Sequence, residues 1–133
     1  MYVGQSVNAR THAQFLNEVV GTNYRQWMKC TYPLSDYSDI WMIRLTPESV
    51  RNAGWINTLT RDGTVLEERL IAAVYPSHKR GLFARTRVVF EIVDNYSGRE
   101  YVFRGIFKCA ECTKGYHKWY RWSDEFENVS VCK

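Results

Sequence analysis

The sequence predicts an α+β fold dominated by β-structure, in the form of a curved antiparallel sheet or a partly open barrel with two short helices. Apolar and polar residues alternate with a period of two through residues 85–122, which is the spacing of half-buried strands. Helix-capping signals flank only two short segments. The chain of 133 residues is long enough to bury a core of its own, so we expect a single domain over residues 1–133.

Both predicted helices lie in the first half of the chain. Thr11 followed by Gln14 matches a capping box, an apolar stripe comes next, and Gly21 stands where this helix would end. The segment TPESVRNAG, residues 46–54, begins with a capping Thr and a Pro at the first helical position and closes with a Gly. It predicts a second helix of about two turns.

Strands and loops are predicted around these helices. The alternation in NYRQWMKCTY, residues 23–32, predicts a half-exposed strand with Cys30 facing the core. We predict a loop for YPLSDYSD and a buried strand for IWMIRL. The segments WINTL and VLEERLIAAVY flank an Asp-Gly turn and predict a hairpin, although residues 65–74 suit a helix equally well. We predict a basic loop for PSHKRG, residues 76–81.

The clearest pattern is an antiparallel meander of three strands. The segments RTRVVFEIVD, REYVFRGIFKC and YHKWYRW each alternate, and turn sequences (NYSG and TKG) separate them. In the middle segment, the alternation places Tyr101, Phe103, Gly105, Phe107 and Cys109 on one face. We expect the aromatic residues of that face to belong to the core.

Positive charge is concentrated in the same part of the chain. Residues 1–66 carry six Lys or Arg and five Asp or Glu, a net charge of +1, whereas residues 79–121 carry ten and four, a net charge of +6. Cations combined with aromatic residues suit phosphate neutralisation and base stacking. The alternative is a solvated sheet face on which Arg and Lys stems cover apolar neighbours.

We therefore predict a nucleic-acid-binding site on the meander and the loops that lead into it. Cations from neighbouring strands would contact phosphates, and exposed Trp side chains would stack on an unpaired or flipped base. Burial in the core fits Trp119 and Trp122 about as well as exposure does. The predicted binding residues are Arg80, Arg85, Arg87, Arg104, Lys108, Lys118, Trp119, Arg121 and Trp122.

Three residues near the tip of the meander have the spacing of a zinc motif. Cys109, Cys112 and His117 follow the pattern C-x2-C-x4-H, and Cys132 could complete a tetrahedral set from the tail. A domain of this length does not need a metal to fold, and reduced core thiols are the simpler interpretation. We therefore predict no cofactor, with zinc as the alternative.

No motif of a known catalytic class is present. The chain has no nucleophile elbow, P-loop, dinucleotide fingerprint or H-E-x-x-H segment. A small metal-dependent nuclease would need clustered carboxylates, and acidic residues in strands are most often cross-strand partners of Arg. The only candidate sets are Asp62, Glu67 and Glu68, and Glu91, Asp94 and Glu100. We predict a module without catalysis of its own.

The strand sequences RVVFEI, YVFRGIF and YRWSDEF resemble those of PUA/SRA-like β-rich reader modules that accompany restriction-type nucleases. In those modules an aromatic-x-Gly-x-aromatic strand precedes a strand that carries an Arg. The resemblance covers residues 85–127 and implies binding of DNA or RNA by a domain that is not itself catalytic.

The expected partner is a nucleic acid, DNA more than RNA. The rival hypothesis is a protein-binding module, such as a phage or mobile-element inhibitor that occupies the nucleic-acid groove of a host defence protein, because exposed Trp, Tyr and Arg also dominate protein interfaces. The start of the sequence lacks the charge pattern of a secretory signal, and no apolar stretch reaches the length of a membrane span. We therefore expect a cytoplasmic protein with no membrane partner and with reduced cysteines.

Overall fold

Eight strands and one helix make up the part of the chain that the computed structural model describes, which is residues 1–45, 55–70, 85–113 and 116–127. The predicted second helix at 46–54 and the predicted basic loop at 76–81 lie outside the described residues. In chain order the elements are β1 (Ser6–Asn8), α1 (His12–Val20), β2 (Thr31–Ser35), β3 (Ser38–Ile43), β4 (Trp55–Leu59), β5 (Val65–Leu70), β6 (Thr86–Asn95), β7 (Gly98–Thr113) and β8 (Tyr116–Ser123).

The strands form a single open, curved sheet. Its order is β2-β3-β6-β7-β8-β5-β4, and β1 pairs with the first part of β7. The prediction of a β-dominated, curved and incompletely closed sheet is confirmed. One strand pair departs from the predicted antiparallel arrangement, because β3 and β6 run parallel from the Ser38 and Thr86 pair to the Ile43 and Glu91 pair. This pairing requires a long crossover, and β4 and β5 lie within it at the far end of the sheet.

The helix α1 forms where the capping signals predict it. The Thr11 hydroxyl accepts a hydrogen bond from the Gln14 amide, and Gly21 ends the helix with a φ of 83°. The apolar stripe packs on one face of the sheet, where the Phe15 ring stacks on Tyr101 at a centroid distance of 4.3 Å. We call this side of the sheet the helix-side core; its buried members include Phe15, Leu16, Val19, Ile40, Met42, Val88, Phe90, Tyr101 and Phe103.

The strand predicted over residues 23–32 is wrong for most of its length. Residues 21–30 form no strand, and Cys30 is exposed instead of facing the core. The Asn17 side chain at the end of α1 explains the difference, because its amide group donates to the Tyr24 carbonyl and accepts from the Tyr24 amide. The backbone polar groups of Tyr24 therefore bind a side chain and not a neighbouring strand. Strand β2 begins at Thr31, so the first part of the segment YPLSDYSD, which is predicted as a loop, is a strand.

The hairpin predictions around the Asp-Gly and NYSG turns are confirmed. Strands β4 and β5 pair in an antiparallel manner from the Trp55 and Leu70 pair to the Leu59 and Leu66 pair, so the described residues 65–70 form a strand and not a helix. Strands β6 and β7 pair along ten register positions on either side of their turn.

Strand β7 changes faces in its middle, and the predicted alternation misses this change. Val89 pairs with Gly105 and the next residue, Phe90, pairs with Phe103, so β7 carries one extra residue. This β-bulge coincides with a φ of 125° at Gly105. Phe107 consequently faces the side opposite to Phe103. We call this second side the tryptophan core; its buried members are Trp41, Ile43, Leu66, Val89, Phe107, Cys109 and Trp119.

Within the described part of the chain, no helix is long and apolar enough to cross a membrane.

Candidate nucleic-acid interface

Two of the predicted phosphate-contacting arginines bind an acidic residue of the protein itself. The Nε and Nη2 atoms of Arg85 donate to the two carboxylate oxygens of Asp39 at 2.8 and 2.5 Å. These hydrogen bonds raise the pKa of Arg85. The Nε atom of Arg87 is 3.5 Å from Asp39 Oδ2, close enough for an ion pair although not aligned for a hydrogen bond.

The guanidinium of Arg87 lies inside the tryptophan core. Its central carbon is 4.6 Å from the centroid of the Trp41 ring and 4.9 Å from that of Trp119. Only 11% of the Arg87 side chain is exposed. Arg87 and Lys108 lie on opposite sides of the sheet, because Arg87 pairs with Phe107, and Lys108 points to the opposite side of β7.

Trp119 is fully buried, so the expectation that it stacks on a base at the surface is wrong. Its Nε1 atom donates to Glu68 Oε1 at 3.1 Å, and Nδ1 of His117 is 2.9 Å from the same oxygen. Glu68 thus binds one ring nitrogen of each of two buried aromatic side chains, which explains how a carboxylate and an indole share one core.

Cys109 and Cys112 of the zinc spacing lie on the tryptophan side of the sheet. The thiol of Cys109 donates to the Glu111 carbonyl, and burial raises the pKa of Cys109 to about 12. Among residues 1–45, 55–70, 85–113 and 116–127, no group of three or more His, Cys, Asp or Glu side chains could hold a metal ion. Cys132 lies outside those residues, so the four-ligand zinc site stays the alternative to the prediction of no cofactor.

Each carboxylate of the two sets considered for a nuclease has a partner in the protein. The prediction that such residues pair with Arg is confirmed for Glu91, which accepts two hydrogen bonds from Arg104, and for Asp94, which pairs with Arg99. Glu67 accepts from the Tyr116 hydroxyl, which is the main cause of its lowered pKa. The other three carboxylates also have hydrogen-bond partners. Asp62 accepts from Thr60 and Thr64, Glu68 contacts His117 and Trp119, and Glu100 accepts from Ser6 and Asn95.

Three arginines converge on a cavity of about 400 Å³, where the β4–β5 turn meets strands β6, β7 and β8. We call it the arginine cavity. Val3, Leu45 and Leu59 form its apolar wall. Its charged lining residues are Arg61, Asp62, Glu91, Arg104 and Arg121. Two predicted binding residues, Arg104 and Arg121, thus come together here.

The three arginines differ in how far their charge is already neutralised. Arg104 donates from Nε and Nη2 to Glu91 Oε1 at 2.9 and 2.7 Å. Neither Arg61 nor Arg121 has a carboxylate of the described residues within ion-pair distance. The carboxylate nearest in sequence to Arg61 is Asp62, which accepts hydrogen bonds from Thr60 and Thr64 that lower its pKa.

The remaining predicted residues lie on the opposite, solvent-facing side of β7 and β8. The Lys108 ammonium is 5.1 Å from the Trp122 ring centroid, and the Lys118 ammonium is 5.4 Å from that of Tyr120. Trp122 is 64% exposed and Tyr120 is 42% exposed. We call these four residues the cation-aromatic face.

The sequence prediction missed Arg61 and the cavity itself, and Arg80 lies outside the described residues. The local signal for Arg61 was its place beside an Asp-Gly turn, where polar residues are ordinary. Nothing in the sequence indicates that this turn meets Arg104 and Arg121, because the contact depends on the pairing of β5 with β8.

Comparison with known proteins identifies a solved structure with a similar fold. A solved structure of the 5-hydroxymethylcytosine-specific restriction enzyme AbaSI matches with a TM-score of 0.67 and 23% sequence identity. The match covers 93% of this chain and 40% of that enzyme, so the chain spans less than half the length of this structural relative. A search of the curated proteins found no match.

The family model of the SRA domain, described as the SET and RING associated domain, matches residues 2–128. It extends the resemblance noted for residues 85–127 across the first two thirds of the chain. The chain therefore belongs to the SRA family.

Proposed function

We propose that this chain is a DNA-binding reader module that takes no part in strand cleavage, and that the arginine cavity belongs to its DNA-binding site. SRA domains bind DNA, which supports a nucleic-acid partner for this chain. The observation that carries the assignment of the cavity is the convergence of Arg61, Arg104 and Arg121 on one opening.

The size and charge of the cavity suit part of a nucleotide. Its volume of about 400 Å³ falls in the range of small-molecule sites. Three guanidiniums against two carboxylates leave an excess of positive charge, and guanidinium groups match both phosphates and base edges. A base flipped out of the duplex would enter the cavity while its phosphates remain near the arginines.

A modified cytosine is the proposed ligand class. The structural relative AbaSI is named as specific for 5-hydroxymethylcytosine, which supports a cytosine modification as the feature that this module distinguishes. The proposal that the module does not cleave DNA rests on the carboxylates described above, each of which already has a hydrogen-bond donor from the protein.

Fluorescence anisotropy with labelled duplexes tests the proposal. The duplexes share one sequence and carry cytosine, 5-methylcytosine or 5-hydroxymethylcytosine at a single position, and a matched RNA duplex is the control. We expect DNA affinity to fall steeply between about 50 and about 200 mM salt. We also expect one modified form to bind more tightly than unmodified DNA, and RNA to bind more weakly.

Two variants localise the binding. Arg61→Gln should weaken binding severalfold, whereas Lys29→Gln, an exposed cation outside the cavity, should leave it unchanged. An affinity that stays flat with salt would contradict DNA binding. Equal affinity for all three cytosine forms would contradict the reader role, and Mg²⁺-dependent cleavage by this chain would contradict the absence of catalysis.

The cation-aromatic face favours a second candidate function, a protein-binding module. Trp122 is exposed beside Lys108, and Trp is among the residues that dominate protein interfaces. This hypothesis predicts a stoichiometric complex with a nucleic-acid-binding defence protein, lost in Trp122→Ala while the affinity for DNA is retained. Titration calorimetry measures both; a complex that survives Trp122→Ala unchanged would contradict a role for this face.

A further inference from the structure

We infer that Arg121 is an anion-binding residue of the arginine cavity and that its ligand is a phosphodiester group of DNA. The inference rests on the proposed function and deepens it by assigning a ligand to one side chain. It follows from the charge balance of the cavity, from two glycines that surround the Arg121 side chain, and from the position of that side chain on β8.

The charge balance distinguishes Arg121 from its neighbour. Glu91 neutralises Arg104 through two hydrogen bonds. Arg121 is only partly buried and has no carboxylate of the described residues within 4.0 Å of its guanidinium. Asp62 exerts a weaker electrostatic effect across the cavity while its oxygens accept hydrogen bonds from Thr60 and Thr64. Arg121 therefore has a positive charge available to an incoming anion.

The stem of Arg121 lies directly on the backbone of Gly105. A Cβ atom placed on Gly105 would be 2.6 Å from Cδ of Arg121, closer than real contacts allow. It would also be 3.0 Å from Cγ of Arg121 and 3.1 Å from the Ser123 carbonyl oxygen, which are unusually tight contacts. At the guanidinium end, a Cβ atom on Gly63 would be 3.5 Å from Nη1 of Arg121. The β7 bulge and the β4–β5 turn thus bound one channel for this side chain.

Such a channel restricts the rotamers of a long, flexible side chain before any ligand arrives. An Arg that is already held in place loses less conformational entropy on binding, which raises its affinity for an anion. The main-chain amide of Arg121 donates to the Thr64 carbonyl at 2.8 Å, so the backbone at the base of the side chain is also held.

A phosphodiester is the anion that fits this environment. Arg61 adds a second exposed cation at the rim of the same cavity, and two separate cations match a repeating backbone charge. A contact to a base edge would instead make Arg121 a determinant of sequence preference. These two roles give different measurements.

The test uses the full chain and a fluorescein-labelled DNA duplex, with affinity measured over a range of salt concentrations. Arg121→Gln should weaken binding about tenfold at low salt and reduce the slope of log affinity against log salt by about 0.9, the loss of one phosphate contact. The weakening should be equal for all duplex sequences. Arg121→Lys should keep the wild-type slope, because it keeps the charge, while it loses part of the affinity.

A matched pair of glycine variants tests the channel. Gly105→Ala keeps Arg121 but blocks its path, so we expect the same loss of slope as in Arg121→Gln. Gly98→Ala is the control, because Gly98 has a φ of 124° against 125° for Gly105, and nothing lies within 4 Å of a Cβ atom placed there. Both variants place a Cβ atom at nearly the same positive φ, and only the one at Gly105 meets Arg121 and the Ser123 carbonyl oxygen.

The outcomes separate this inference from the proposed function. If the wild-type chain shows no salt-dependent DNA binding, the proposed function fails. If the wild type binds but Arg121→Gln keeps its salt slope, or weakens only one sequence, the phosphate assignment alone is overturned. Thermal unfolding of every variant identifies any that lose binding because they lose the fold. Should Gly105→Ala not fold, the two Arg121 variants still decide the question.

Discussion

Arg85 carries a charge that the fold uses internally. It forms two hydrogen bonds to Asp39, a carboxylate that is only 9% exposed, and Arg87 approaches the same carboxylate between two tryptophan rings. Reversing the charge of Arg85 would leave Asp39 facing a second anion. Loss of DNA binding in such a variant would therefore report damage to the fold and could not be assigned to a lost phosphate contact.

Charge reversal at Arg85 and at Lys108 should change the free energy of unfolding by different amounts. We expect Arg85→Glu to lower the free energy of unfolding by about 2 to 3 kcal/mol, since a mostly buried carboxylate loses its charged donors. Lys108→Glu, on the exposed side of β7, should lower it by less than about 1 kcal/mol. Urea denaturation followed by circular dichroism measures both. Equal effects would show that the Asp39 pair does not stabilise the fold.

At the scale of elements, α1 depends on its first turn as well as on its apolar stripe. Thr11 accepts a hydrogen bond from the Gln14 amide, and the helix has no acidic residue in its first turn to offset the exposed amides. We expect Thr11→Ala to lower the free energy of unfolding by about 1 kcal/mol, whereas Thr11→Ser should keep most of that stability. The measurement is again urea denaturation; an equal loss in both variants would assign the effect to the lost methyl group.

Strand β7 shows why a period-two pattern predicts the existence of a strand better than the direction of its side chains. The alternation from Tyr101 to Cys109 is unbroken in the sequence, yet the bulge beside Gly105 sends the two ends of the strand into different cores. Both sides accept large apolar residues, so composition cannot reveal the change. A glycine within a strand pattern is the one local signal, because glycine often marks a bulge.

At the scale of the whole molecule, local signals predicted local structure. The capping box predicted α1, the Asp-Gly and NYSG turns predicted two hairpins, and the strand sequences of the second half led to the right family. The parallel pairing of β3 with β6 and the meeting of Arg61 with Arg121 depend on contacts between distant parts of the chain. No short-range pattern encodes them, and the cavity was missed for that reason.

The pairing of β1 with β7 joins parts of the chain that are synthesised at different times. Val7 of β1 pairs with Tyr101 of β7, and the stripe of α1 packs against Phe90 and Tyr101. Because β1 and α1 precede β6 and β7 in the chain, Phe15 and its neighbours stay uncovered during synthesis until β6 and β7 have been made. Chains with many distant contacts close their loops late and fold slowly. The order in which this chain is synthesised thus runs against the order in which its core can close.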